Sequence, residues 1–199
     1  MARSGTLSKT KTANASNGGD KSMRKQRGSA PQQLQANLGL DQSANQGVAN
    51  LLCQALADEF TFYTKLRKYH WNVTGPDFFA LHEAFEEQYT EVEANIDEIA
   101  EYIRTYGVFS PGTLEEFRQM TTLEESPGTV PSAHDMVADI VSDHEKIIQN
   151  LREMVEKCEN QYEDAAAADI LTGYITEHQK AAWMMRAFLQ GLDTGDQSR

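Results

Sequence analysis

Apolar side chains recur every three or four residues along four long stretches of the chain, the periodicity of amphipathic helices rather than of strands. The first stretch, about Gln46 to Val73, carries Val48, Leu52, Ala55, Glu59, Tyr63, Leu66 and His70 on one stripe. Gly75, Pro76 and Asp77 interrupt it, and Asp77 is placed to cap the helix that follows. The second stretch, Phe79 to Tyr106, is apolar at positions 79, 81, 85, 89, 92, 96, 99 and 103. It meets no Pro or Gly until Gly107, which suits a C-terminal cap. Two long amphipathic helices joined by so tight a turn are expected to lie antiparallel.

From Gly107 to Pro131 the pattern changes. This segment holds three of the five prolines and has room for one short helix near Leu114–Met120. Its length suffices to carry the chain from one end of a bundle to the other. The third long helix should start at Ser132, where Ser-Ala-His-Asp resembles a capping box with Asp in place of Glu. Its stripe is Val137, Ile140, Val141, His144, Ile147, Ile148, Leu151 and Val155. A fourth covers about Asp164 to Leu192 through Ile170, Leu171, Tyr174, Ile175, Ala182, Met185 and Phe188. Hairpin, long crossover, hairpin is the ferritin-like ordering of an all-α four-helix bundle.

Charge divides the chain differently. The formal net charge is -12, yet residues 1–38 carry Arg3, Lys9, Lys11, Lys21, Arg24, Lys25 and Arg27 against Asp20 alone. The other 161 residues therefore hold -18. The basic segment is Ser, Thr, Lys, Asn, Gln and Gly with few apolar groups, so it is expected to be disordered, with the bundle domain spanning 39–199. It reads either as a solubilising extension or as a flexible arm for a polyanion, DNA above all. Such binding would be non-specific, salt-sensitive and additive over many copies, and the acidic body opposes it. Cys53 and Cys158 have no metal or redox spacing and read as small packing residues in a reducing compartment. No apolar run reaches membrane-spanning length, and the first 38 residues lack the apolar core of a secretory signal. A cytoplasmic protein is expected, nucleoid-associated if the arm binds DNA.

The candidate chemistry lies between His70 and Glu101. His70 and His82 are followed by Glu86, Asp97 and Glu101 on one predicted helix. Each alone has a plain reading, a hydrogen-bonded histidine or a solvated acid. Together they pose a problem of reach. His82 and Asp97 are fifteen residues apart, about 22 Å along a helix, whereas metal bonds to such side chains are about 2 Å long. One chain cannot close both around one ion; two chains can, if the second helix meets its own copy across a two-fold axis near Val92. The intrachain di-iron signature Glu-x-x-His is missing, because Arg67, Phe79, Pro131, Val141 and Ile175 stand three residues before the histidines. His82-Glu-Ala-Phe-Glu86 also lacks the second histidine of a zincin.

Lys68-Tyr-His70-Trp71-Asn72-Val73, then Gly75, Phe79, Leu81-His82, Phe85, Tyr89 and Asp97-x-x-Ala100-Glu101 resemble the signature of the Dps family, the ferritin-like DNA-protection proteins of starved cells. The resemblance covers about residues 45–192. Its spacing, His-x(11)-His-x(3)-Glu-x(10)-Asp-x(3)-Glu, is highly specific.

What the resemblance implies is a dodecameric hollow shell whose iron sites lie across a two-fold dimer interface. His70, His82, Glu86, Asp97 and Glu101 would be the iron ligands. The family pattern puts His70 and His82 on one subunit and the two distal acids on the other, although position alone leaves the side taken by His70 open. Glu86 stands where Asp is usual, and Tyr102 where Arg is common. Trp71 matches a family tryptophan that takes up stray oxidising equivalents, or it is interface packing. The implied activity is oxidation of Fe(II), with hydrogen peroxide preferred over dioxygen, followed by storage of ferric mineral. Glu83 and Glu87 would nucleate that mineral. Glu163, Asp164 and Asp169 would line three-fold entry pores, or Asp164 simply caps the last helix. Two alternatives stand beside this: a DNA-compacting scaffold with secondary iron chemistry, and a shell whose site holds structural zinc. His134, His144 and His178 have no ligand spacing and read as structural.

Overall fold

The computed structural model describes residues 36–193, with side chains as far as Gln190. Its helices are α1 (Gln42–Asn72), α2 (Phe78–Thr105), α3 (Leu114–Met120), α4 (Ala133–Asn160) and α5 (Ala165–Asp193), and no strand occurs among the described residues. α1 packs along α2, α4 along α5, and α3 rests on α1. This is the all-α, ferritin-like bundle expected from the periodicity.

The helix ends show which local signals acted. α1 starts four residues earlier than expected because Asp41 caps it, its Oδ1 accepting the Ala44 N–H at 2.7 Å. Asp77 does occupy the N-cap of α2 but makes no side-chain capping bond, so the expected mechanism does not operate there. Gly107 ends α2 at φ +78°, and its N–H returns to the Arg104 carbonyl at 3.0 Å. Ser132 caps α4, but the reciprocal arm differs from a capping box: Asp135 accepts from the Ser132 hydroxyl rather than from its backbone. The full box forms instead on α3, between Thr113 and Glu116.

The core holds Phe62, Phe85, Leu52, Leu56, Leu66, Ile99, Ile103, Ile140 and Ile147, all essentially fully buried. Each such side chain stabilises the fold by about 1.5–3 kcal/mol. Gly47 lies mid-helix in α1 because the Tyr162 ring crosses its backbone, and a Cβ there would stand 2.3 Å from the ring. The crossover is tied down by buried Asp58 of α1. Its carboxylate accepts from the Thr122 N–H (2.6 Å), the Thr121 hydroxyl (2.9 Å) and Asn150 Nδ2 of α4 (3.1 Å). Among the described residues no helix is long and apolar enough to cross a membrane.

Candidate metal centre

The turn between α1 and α2 decides where the first two candidates meet. α1 closes with the Val73 N–H on the Tyr69 carbonyl (2.8 Å), Gly75 takes φ +115°, and the Phe78 N–H bonds the Gly75 carbonyl at 3.2 Å. A reversal in so few residues sets the last turn of α1 beside the first turns of α2. His70 and His82 then stack, ring centroids 3.7 Å apart and planes 20° from parallel.

Their hydrogen bonds are reciprocal. His70 Nδ1–H donates to the His82 carbonyl at 2.8 Å, and His82 Nδ1–H donates to the His70 carbonyl at 2.9 Å. Each ring therefore spends its one neutral-state proton on backbone, which fixes the tautomer and leaves both Nε2 lone pairs free. Glu86 lies one turn further along α2. Ligand atoms of His70, His82 and Glu86 all lie within 4.8 Å of one another. Phe78 stacks on the other face of His82 at 5.0 Å, and Tyr89 meets His70 edge-on at 5.3 Å. Aromatic rings thus pack against both imidazoles.

Aromatic and cationic groups extend this cluster. Burial, together with the neighbouring Glu86 carboxylate, raises the Tyr89 phenol above its usual value. The Arg67 guanidinium lies 4.5 Å from the Tyr89 ring centre and 5.4 Å from that of Trp71, and its Nη1 donates to Tyr63. Trp71 and Phe79 are exposed, so the open side of the site is flanked by apolar surface. Tyr89, Phe78 and Arg67 were legible in sequence only as spacing: Tyr89 follows Glu86 by three, Phe78 precedes His82 by four.

Asp97 and Glu101 do not join this group. Both are exposed toward the far end of α2, as fifteen intervening residues require. Glu83 and Glu87 are exposed beside the site, and Glu163 and Asp169 are exposed where α4 gives way to α5. Asp164, expected either to line a pore or to cap the last helix, takes the second role. It is buried, Oδ1 accepting the Ala167 N–H (3.1 Å) and Oδ2 the Tyr106 hydroxyl (2.6 Å), so it is the cap of α5. The seven cations from Arg3 to Arg27, and the disorder expected of 1–38, lie outside the described residues apart from that segment's last few positions. His134 is exposed. His144 and His178, though, pair with each other in the core, their Nδ1 atoms 2.8 Å apart.

A family model for the ferritin-like domain matches residues 49–194. The DNA protection during starvation protein 2 of Bacillus anthracis is 40% identical over 145 residues, 73% of this chain and 98% of that protein. The chain belongs to the Dps family of ferritin-like proteins. An uncharacterised low temperature-induced protein of Nostoc sp. is 48% identical over 78% of this chain and 87% of its own length. Among solved structures, a Dps protein from Bacillus brevis superposes with a TM-score of 0.71 at 36% identity, over 75% of this chain and 99% of that one. A Dps protein from Vibrio cholerae, described as a member of a broad superfamily of ferritin-like diiron-carboxylate proteins, gives 0.72 at 30% identity, over 78% and 98%. The pairing of α1 with α2 brings the two imidazoles and Glu86 of one chain together.

Proposed function

We propose that this protein is a ferroxidase and iron store of the Dps type, protecting DNA by consuming Fe(II) and peroxide together. The observation that carries this reading is the reciprocal His70–His82 lock, which presents two imidazole nitrogens beside the Glu86 carboxylate. A mixed imidazole–carboxylate set suits iron, and anionic oxygens favour the ferric state as it forms. Iron is here the substrate and the cargo.

The half-site is completed by a second copy. Antiparallel pairing of α2 across a two-fold axis near Val92 brings Asp97 and Glu101 of the partner subunit to the open Nε2 side, and generates the site twice. Two Fe(II) then give one electron each to hydrogen peroxide, which takes two protons and leaves as two waters. Because both electrons are delivered together, no hydroxyl radical is released. Trp71, exposed beside the site, is placed to absorb an oxidising equivalent that escapes. Ferric product passes to the interior of a dodecameric shell, where Glu83 and Glu87 offer nucleating carboxylates. Glu163 and Asp169 would concentrate cations at the entry pores.

The decisive experiment is subunit complementation. His82→Ala and Asp97→Ala chains, each inactive alone in peroxide-driven ferric absorbance, are unfolded and reassembled together. Random pairing restores about a quarter of the wild-type sites, since half the dimers are mixed and each rebuilds one site of two. Activity that stays at the single-variant level would sink the shared site. Zinc held structurally, without oxidation, would show as no ferric absorbance in the wild-type protein.

DNA binding is a separate part of the proposal, motivated by the seven cations before residue 38 and by the likeness to the DNA protection protein of Bacillus anthracis. Deleting residues 1–38 should abolish gel retardation of duplex DNA at low salt. Unchanged retardation would assign the binding elsewhere.

A further inference from the structure

A file of aromatic rings leads away from the paired imidazoles between α1 and α2. The Tyr89 ring meets His70 edge-on at 5.3 Å, and the Tyr63 ring stands at 90° to that of Tyr89, centroids 6.1 Å apart. Beyond Tyr63 the file runs through Phe60 at 6.2 Å to Phe117, which stacks on Phe60 at 4.4 Å. Arg67 lies against these rings. Its guanidinium is 4.5 Å from the centre of Tyr89, and its Nη1 donates to the Tyr63 hydroxyl at 3.1 Å. We propose that Tyr63, reached through Tyr89, is a one-electron donor to the iron site, and that it supplies the electron which a site holding a single Fe(II) lacks. This rests on the ferroxidase reading above.

Electron count sets the need. Hydrogen peroxide takes two electrons and two protons to leave as two waters. One Fe(II) supplies one electron, and peroxide reduced by that electron alone breaks into hydroxide and hydroxyl radical. Tyr63 supplies the second electron together with its phenolic proton, and solvent supplies the other proton. The products are Fe(III), a neutral tyrosyl radical and two waters. A second Fe(II) arriving later returns an electron to the radical, solvent returns the proton, and the phenol is restored. Two Fe(II) are still consumed for each peroxide, as in a site that holds both from the start.

The surroundings of the rings decide where the radical rests. Tyr63 is half-buried, so its proton has a way to water. Its oxygen accepts from Arg67, and a phenoxyl oxygen, which can only accept, keeps that bond unchanged. Next along the file stand two phenylalanines, whose rings are far harder to oxidise than a phenol, so the radical goes no further. Trp71 is less suited to the same step. The Arg67 guanidinium lies 5.4 Å from its ring, and an indole that gives up an electron is first a cation, which a neighbouring positive charge opposes. A tyrosine that loses electron and proton together stays neutral, and the same guanidinium does not oppose it.

The test uses the assembled full chain, loaded anaerobically with one Fe(II) for each imidazole pair and mixed with one equivalent of hydrogen peroxide. Electron paramagnetic resonance of freeze-quenched samples should show an organic radical whose splitting narrows when the protein carries ring-deuterated tyrosine. Tyr63→Phe, which keeps the ring, should remove most of that signal and raise the yield of hydroxyl-radical spin adducts. A signal indifferent to deuterated tyrosine, or undiminished in Tyr63→Phe, overturns the proposal; its loss in Trp71→Phe instead assigns the electron to the indole. Ferric absorbance with no organic radical also overturns it while leaving the iron reading intact, whereas no ferric absorbance at all removes both. Should Tyr63→Phe fail to assemble, peptide mass spectrometry of the wild-type protein after repeated peroxide pulses decides the matter. Oxygen added to Tyr63 supports the donor; oxygen confined to Trp71 or to the histidines overturns it.

Discussion

Two histidine pairs in this protein differ in which ring nitrogen the fold consumes. At the α1–α2 turn, Nδ1 of His70 and of His82 is spent on a backbone carbonyl, which leaves both Nε2 atoms free. In the bundle centre, Nε2 of His144 and of His178 is spent on Gln88 and Glu59, and both Nδ1 atoms face each other. On the proposed reading, the first pair takes its remaining ligands from a partner chain. The second pair is enclosed by its own four helices. The first should therefore answer mutation in activity, and the second in stability.

The largest expected effect breaks the open pair. His82→Ala removes one ligand and the ring that stacks on His70, while the backbone carbonyl that orients His70 stays, so peroxide-driven iron oxidation should fall by more than about 100-fold. Because His82 is partly exposed, thermal unfolding of the variant should shift little. A large loss of melting temperature with retained activity would reverse the contrast between the pairs.

Next comes the enclosed pair. Glu59→Ala strands the His178 Nε2–H in a dry core, where an unsatisfied donor and the emptied side-chain volume together cost about 2–4 kcal/mol. Urea unfolding of the full chain measures it, with a lowered midpoint and an unchanged slope expected. Asp58→Ala offers a control in the same core. It frees the Thr122 N–H, the Thr121 hydroxyl and Asn150 together, so it should cost about 2–3 kcal/mol by the same measurement. A loss below about 0.5 kcal/mol in both variants would mean that these buried polar groups reach water and are not enclosed.

How far the sequence foretold this depends on the range of the signal. Helix order, the crossover with its short helix, and the Gly107 stop follow from periodicity and backbone chemistry, which act within a few residues. The earlier start of α1 at Asp41 was missed because the first apolar residues of the stripe lie several positions downstream. Asp164 was ambiguous because capping and surface charge ask for the same residue type, and only its burial against Tyr106 separates them. Glu59 in the apolar stripe of α1 and His144 in that of α4 were each visible as oddities. Their pairing was not, because His178 comes from a helix 119 residues from Glu59 and contact at that separation has no local trace. The iron candidates were legible because one turn places His70 near His82.

The smallest effect tests how the open site holds its carboxylate. Glu86 is one methylene longer than the Asp usual in the resemblance, and a longer side chain has more rotamers to lose on binding iron. The Tyr89 hydroxyl lies near enough to feel the Glu86 carboxylate, while its ring packs edge-on against His70. Tyr89→Phe keeps the ring and removes only the hydroxyl beside Glu86, so the imidazole pair should remain in place. Fe(II) affinity, read by anaerobic titration of the assembled protein, should then weaken by about tenfold, as for other groups that orient a metal ligand. Glu86→Asp in the same background shortens the tether and should recover part of that loss. If Tyr89→Phe binds Fe(II) as tightly as wild type, Glu86 is positioned by the metal and the partner chain alone, and the open site has no preset carboxylate to match the preset imidazoles.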